Sequence, residues 1–143
     1  MQSDDYEEKK EWLRRYRKAA NLEKIKLEEV ERYRTDAEAY HAGALPCSRA
    51  ALVTGQALPR SVERITDAMQ AANAQVMECQ RICKEILSVM NQTVDIQDYE
   101  ILYLRYIGGK KWEQIAVKMG MDVSRVYRRH KRAVKALEIP ECQ

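Results

Sequence analysis

The stretch KKWEQIAVKMGMDVSRVYRRHKRAVKAL, residues 110–137, decides how the chain is read. Ile115, Ala116 and Met119 make one apolar edge at helical spacing, Gly120-Met121-Asp122 interrupts it, and Val126, His130, Ala133 and Leu137 resume it at intervals of four, three and four. Gly120 suits the left-handed conformation that closes a helix, and Asp122 can accept hydrogen bonds from the free N–H groups that open the next. The pattern predicts two short helices joined by a tight turn. The second presents Arg125, Arg128, Arg129, Lys131, Arg132 and Lys135, many of them off the apolar edge and open to phosphates. That is the footprint of a recognition helix.

Immediately upstream, Asp95 is a plausible cap for a helix over 96–107. Ile96, Tyr99, Leu102, Tyr103, Tyr106 and Ile107 give that helix a broad apolar side, and Gly108-Gly109 supplies the turn that follows. Without this scaffold helix the two short ones bury too little surface to stand alone. Charge separates the same region from the rest. Residues 108–135 hold nine Lys or Arg against Glu113 and Asp122, although the whole chain carries only +3, so residues 1–107 are slightly acidic. Basic character is concentrated where a nucleic-acid partner would be met.

Further upstream the chain is all helix in composition: few glycines and prolines, no phenylalanine, and long runs of Glu, Lys, Arg, Ala and Leu. Residues 4–42 read as one helix, with Asp4 and Asp5 at its positive end. Its apolar stripe is Trp12, Tyr16, Ala19, Val30, Tyr33, Ala37 and Tyr40, broken at Glu23 and Lys26 and widened by Leu13, Ala20, Leu22, Ile25 and Leu27. Residues 43–60, with two prolines and two glycines, read as a connection. From Ser61, a candidate cap, to Asn91 the seam Val62, Ile65, Met69, Ala72, Val76, Cys79, Cys83, Ile86 and Met90 alternates threes and fours in a two-in-seven pattern. Such a narrow seam asks for one partner helix, either the first long helix returning on it or the same helix of a second chain, which would give a homodimer through 61–91.

The expected fold is therefore all-α. A long antiparallel, coiled-coil-like helical hairpin over 1–91 precedes a three-helix helix-turn-helix unit over 94–139. Cys47, Cys79, Cys83 and Cys142 lack the spacings of zinc sites, so the thiols read as buried side chains with no metal or cofactor. No apolar run approaches the roughly 20 residues that span a bilayer. The charged N-terminus has no signal-peptide character, and a cytoplasmic compartment with reduced thiols is expected.

From Glu100 to Leu137 the residues resemble region 4 of bacterial sigma factors. The marks are the "LxLRY" helix, the "EQIA" core, a Gly-x-Asp turn where the family usually has Gly-x-Ser, Val126 six residues after Gly120, and the closing "RAVKAL". The order of elements, a "WLRRYR" helix, a Pro/Gly break, a second long helix and this end, resembles phage and prophage late-gene transcription regulators. The resemblance implies a regulator that binds double-stranded promoter or operator DNA in a bacterial host's nucleoid and contacts host RNA polymerase. It implies base reading by Val123, Ser124, Tyr127 and Arg128, with the guanidinium of Arg128 suited to guanine. It implies phosphate contacts by Lys110, Lys111, Arg125, Lys131 and Arg132. Val123 and Tyr127 depart from the charged or polar residues commoner at those positions, so base preference is not transferable. A structural DNA adaptor such as a small packaging subunit is the alternative, although such adaptors usually place the DNA-binding unit first. No catalytic motif is present: there are two histidines, His41 and His130, and no frame of paired acids or phosphate loop.

Overall fold

The computed structural model describes residues 2–41 and 57–141, and every regular element among them is helical. In order these are α1 (Gln2–His41), α2 (Ala57–Met90), α3 (Ile96–Leu102) continued by a π-helical segment (Tyr103–Ile107), α4 (Trp112–Met119) and α5 (Val123–Ala136). Most of the expected 43–60 connection lies outside the described residues. Its last four residues are already helical: α2 begins at Ala57, so Ser61 lies inside the helix rather than capping it. Pro59 is compatible with this because a first-turn N–H has no intrahelical acceptor to lose.

Contacts divide the chain into two compact units, one of residues 1–19 with 79–143 and the other of residues 20–78. The division falls inside the two long helices and not at the break around residues 91–94. In the second unit Val30 packs on Ala68 and Ala72, with Tyr33 against them, and the guanidinium of Arg34 reaches Met69 Sδ at 3.9 Å. The small Ala68 and Ala72 admit α1 closely, so α1 is a partner for the α2 seam within the same chain. That seam is not uniformly covered. Val62 is 55% exposed and Met69 39%, whereas Ala72, Cys79, Ile86 and Met90 are buried. Towards its end α2 also buries Ile82 and Val89, which lie off the two-in-seven positions. A helix met by several neighbours buries a face wider than the single stripe that one partner covers.

In the first unit Trp12, Leu13 and Ala19 of α1 are buried, and Arg15 pairs with Glu85 of α2 at 3.2 Å. The helix-turn-helix core is Ile101, Leu104, Ile115, Ala116 and Val126, with Trp112, Met119, Met121 and Val123 packed at its edge. Asp95 caps α3 as its sequence suggests: its carboxylate accepts from the Gln97 and Asp98 N–H groups at 2.8 and 3.3 Å. The helix expected over 96–107 changes character halfway. From Tyr103 its hydrogen bonds lengthen by one residue, with the Gly108 N–H donating to the Tyr103 carbonyl at 2.9 Å. The wider turn re-aims the side chains. Leu104 and Tyr106 are buried, while Tyr103, expected on the apolar side, is 42% exposed. Ile96 is also exposed, at the open first turn of α3.

Candidate nucleic-acid interface

The turn between α4 and α5 has a complete hydrogen-bond account. Gly120 takes φ +63°, its N–H donates to the Val117 carbonyl, and the Met121 N–H donates to the Ala116 carbonyl at 3.0 Å. These two bonds satisfy carbonyls that α4 would otherwise leave open, and Met121 then packs on the core. Asp122 occupies the capping position with extended backbone, but its side chain makes no capping bond. Its backbone carbonyl accepts from Arg125 and Val126 at 3.0 Å each. At the other end of α4 the Gln114 side chain accepts from the Lys111 N–H at 3.0 Å, one half of a capping box.

The apolar edge of α5 read from the sequence is its buried edge: Val126, His130, Ala133 and Leu137 are all interior, with Val134 beside them. His130 lies among aromatic rings. Tyr106 stacks on it and Trp112 meets it edge-on with centroids 4.7 Å apart. Burial raises the Tyr106 phenol above its usual range, so its hydroxyl keeps the proton, and it shares a 2.6 Å hydrogen bond with His130 Nε2 whose direction follows the ring tautomer. On the other side of the ring Nδ1 lies 3.4 Å from the Tyr6 hydroxyl oxygen. Burial, with Lys10, Arg105 and Arg14 adding positive charge, pushes His130 down to about 3, and the ring is neutral at pH 7.

The cations of α5 fall into two groups. Arg129 Nε and Arg132 Nη2 each donate to the buried Asp98 carboxylate at 2.9 Å, and Arg129 Nη2 also reaches Asp95 at 3.0 Å. These pairs hold α5 against the start of α3. The backbone N–H groups of Asp98 and Gln97, with the Arg129 guanidinium, hold the Asp95 carboxyl below its usual range, and Asp98 raises the Arg132 guanidinium in turn. Arg125, Arg128, Lys131 and Lys135 are exposed, and among the described residues no carboxylate lies within ion-pair distance of them.

Each residue singled out from the sequence now has a place. Ser124 and Arg128 are exposed on the outer face of α5, one helical turn apart. Tyr127 is 46% exposed, with its ring tilted against Trp112 at 4.6 Å. Val123 is half-buried against the core and has only part of its side chain to offer outward. Lys131 lies beyond the Tyr6 ring, Nζ to centroid 5.7 Å. Lys110 and Lys111 are exposed where α4 begins. Arg132 keeps an exposed side chain but spends one nitrogen on Asp98. Three neighbours were not legible from the stretch itself: Trp112, which positions Tyr127; Tyr6, which lies under Lys131; and Lys9, which donates to the Lys135 carbonyl at 3.1 Å. The last two come from α1, more than 120 residues away in sequence.

A scaffold helix, a Gly-closed turn and an exposed cationic face on the second helix are the features of a DNA-reading helix pair. Residues 93–137 match the family described as Sigma-70, region 4. The matched span runs from two residues before the Asp95 cap to Leu137, which closes α5, so the region 4 likeness takes in the whole three-helix core. No curated protein and no solved structure matches the chain. The match covers the three-helix core, and α1 and α2 lie outside it. No helix among the described residues is long and apolar enough to cross a membrane.

Proposed function

We propose that this chain is a phage or prophage transcription regulator that binds a promoter or operator through α5 and contacts host RNA polymerase. The observation that carries this reading is the outer face of α5. Ser124, Arg128, Lys131 and Lys135 share one exposed strip directly after the turn of a region 4 unit. Arg128 is the base-reading residue, because a guanidinium pairs bidentately with the two acceptors of guanine in the major groove. Ser124 and Tyr127 flank it, and Val123 contributes only through its exposed part. Arg125, Lys131, Lys110 and Lys111 hold phosphates, and Arg132 does so with the nitrogens that Asp98 leaves free. The order of elements, two long helices ahead of a terminal region 4 unit, supports a phage regulator over a packaging adaptor. Pairing of two chains is supported by the exposure of Val62 and Met69 in the first half of α2.

Selecting bound sites from host and phage DNA, followed by gel-shift measurement, tests the reading. Arg128→Ala should lower affinity for the selected site by ~1–3 kcal/mol and relax preference at one position, whereas Lys131→Ala should weaken all duplexes and flatten the salt slope by about one. Wild-type affinity in both variants would remove α5 from the interface. A ring of eight or more subunits in a mass measurement would favour the packaging adaptor instead.

A further inference from the structure

The turn that opens α4 gathers more positive charge than its own sequence supplies. Gly109 takes φ +64°, and a methyl group there would come within 2.5 Å of Arg17 Cζ and 2.7 Å of its Nε and Nη2. The Arg17 guanidinium therefore lies against the bare backbone of this glycine, one residue from Lys110. On the same dipeptide, Arg105 Nη1 donates to the Lys110 carbonyl at 3.1 Å, with its guanidinium held 4.3 Å from the centre of the Trp112 ring. Lys110 and Lys111 are exposed beside them. Among the described residues no carboxylate lies within ion-pair distance of any of these four cations. Elsewhere in the unit the cations of α1 are paired: Arg14 and Lys18 with Glu11, and Arg15 with Glu85.

We propose that Arg17 and Arg105 join Lys110 and Lys111 as a second station for the phosphate backbone of duplex DNA, which makes α1 part of the nucleic-acid interface. The inference rests on the DNA-binding reading above and extends it to a helix outside the region 4 match. Four like charges around one turn repel each other, and a polyanion relieves that repulsion by displacing the counterions they would otherwise collect. Position selects the polyanion. In a helix-turn-helix the first helix crosses the phosphate backbone while the second enters the groove, and this cluster stands at the start of that first helix. Guanidinium groups match the ligand, since each offers two parallel N–H donors to phosphate oxygens. Gly109 is what allows Arg17 to reach the station, because any side chain there would occupy the place of the guanidinium.

The test uses the full chain and a labelled random-sequence duplex, with affinity followed by fluorescence anisotropy between ~0.05 and ~0.2 M salt. Arg17→Ala should bind roughly three- to tenfold more weakly near physiological salt and lose about 0.9 from the slope of log affinity against log salt. Arg17→Lys should restore most of the slope, and Lys24→Ala, which removes a charge from the other compact unit, should leave it unchanged. Thermal melts establish that each variant is folded. An unchanged slope in Arg17→Ala, with Lys131→Ala still weakened, would overturn the second station and spare the recognition helix. If both variants bind like wild type, the DNA-binding reading falls with it. Tighter binding to poly-glutamate than to DNA, lost in Arg17→Ala, would assign the cluster to an acidic protein and also overturn the proposal.

Discussion

Four residues after Val126 the helical period calls for an apolar side chain, and the chain places His130 there. The position was legible as core or boundary, but the reason a polar ring is tolerated was not: its partners Tyr6, Tyr106 and Trp112 come from three other elements. Their arrangement makes stability depend on pH. The folded histidine is pushed down to about 3 and the unfolded one keeps the ordinary value of 6.5, so the unfolded chain binds the extra proton between those values. The stabilising difference is complete above pH 6.5 and is lost as pH falls toward 3, with a slope of up to about 1.4 kcal/mol per pH unit. Asp95, whose carboxyl is also lowered, adds a loss of the same sign at the acid end of that window. Urea titrations of His130→Gln, which keeps a polar partner for Tyr106, should show a flatter dependence between pH 6.5 and 4. An unchanged slope would mean that the ring charges without unfolding. The same limit on local reading applies to Arg132, which sits on the outer side of α5 by period, while its tie to Asp98 depends on a residue 34 positions upstream.

At the scale of elements, the sequence is most informative where the backbone demands a particular residue. Gly120 marks the end of α4 because only glycine enters the left-handed region without penalty, and Asp95 marks the start of α3 because a carboxylate suits free N–H groups. The π-helical segment was not legible, since the helical period over 96–107 reads as well with or without one lengthened turn. Asp122 looked like a side-chain cap because its residue type allows it, yet its carbonyl alone serves α5. The two left-handed glycines offer a comparison. A Cβ at Gly120 meets nothing within 4 Å, so Gly120→Ala should cost only the backbone strain, about 1–2 kcal/mol. Gly120→Asn should cost less, because asparagine tolerates this conformation. Gly109→Ala carries similar strain and must also move Arg17. Melting curves and random-duplex binding together separate them: both variants should lose stability, but only Gly109→Ala should weaken DNA binding when folded. Equal binding losses would indicate that the α4–α5 turn itself deforms.

At the scale of the molecule, the period of α1 shows that it buries a face but not what covers that face. Its stripe is continuous enough to read as one helix, yet its first nineteen residues belong with residues 79–143 and the remainder with residues 20–78. A boundary near residues 91–94 follows from the helix break at Asn91-Gln92-Thr93. The structure crosses that break with side chains, since the Gln92 amide both donates to the Glu138 carbonyl at 3.0 Å and accepts from its N–H at 2.8 Å. Trp12, Leu13, Ile86, Val89 and Met90 are buried residues of the same unit that the region 4 match leaves out. A fragment of residues 93–141 would expose the surfaces these side chains cover, and each large apolar group left in water costs about 1.5–3 kcal/mol. Domains of this size have little stability in reserve. The fragment should therefore melt far below the full chain and with a broader transition by circular dichroism, and it should lose affinity for random duplex beyond what its own cations explain. A fragment that melts cooperatively at the temperature of the full chain would show that the region 4 core closes without α1 and α2. The first nineteen residues would then be dispensable for the fold, and Arg17 could still be tested as a ligand of DNA in its own right.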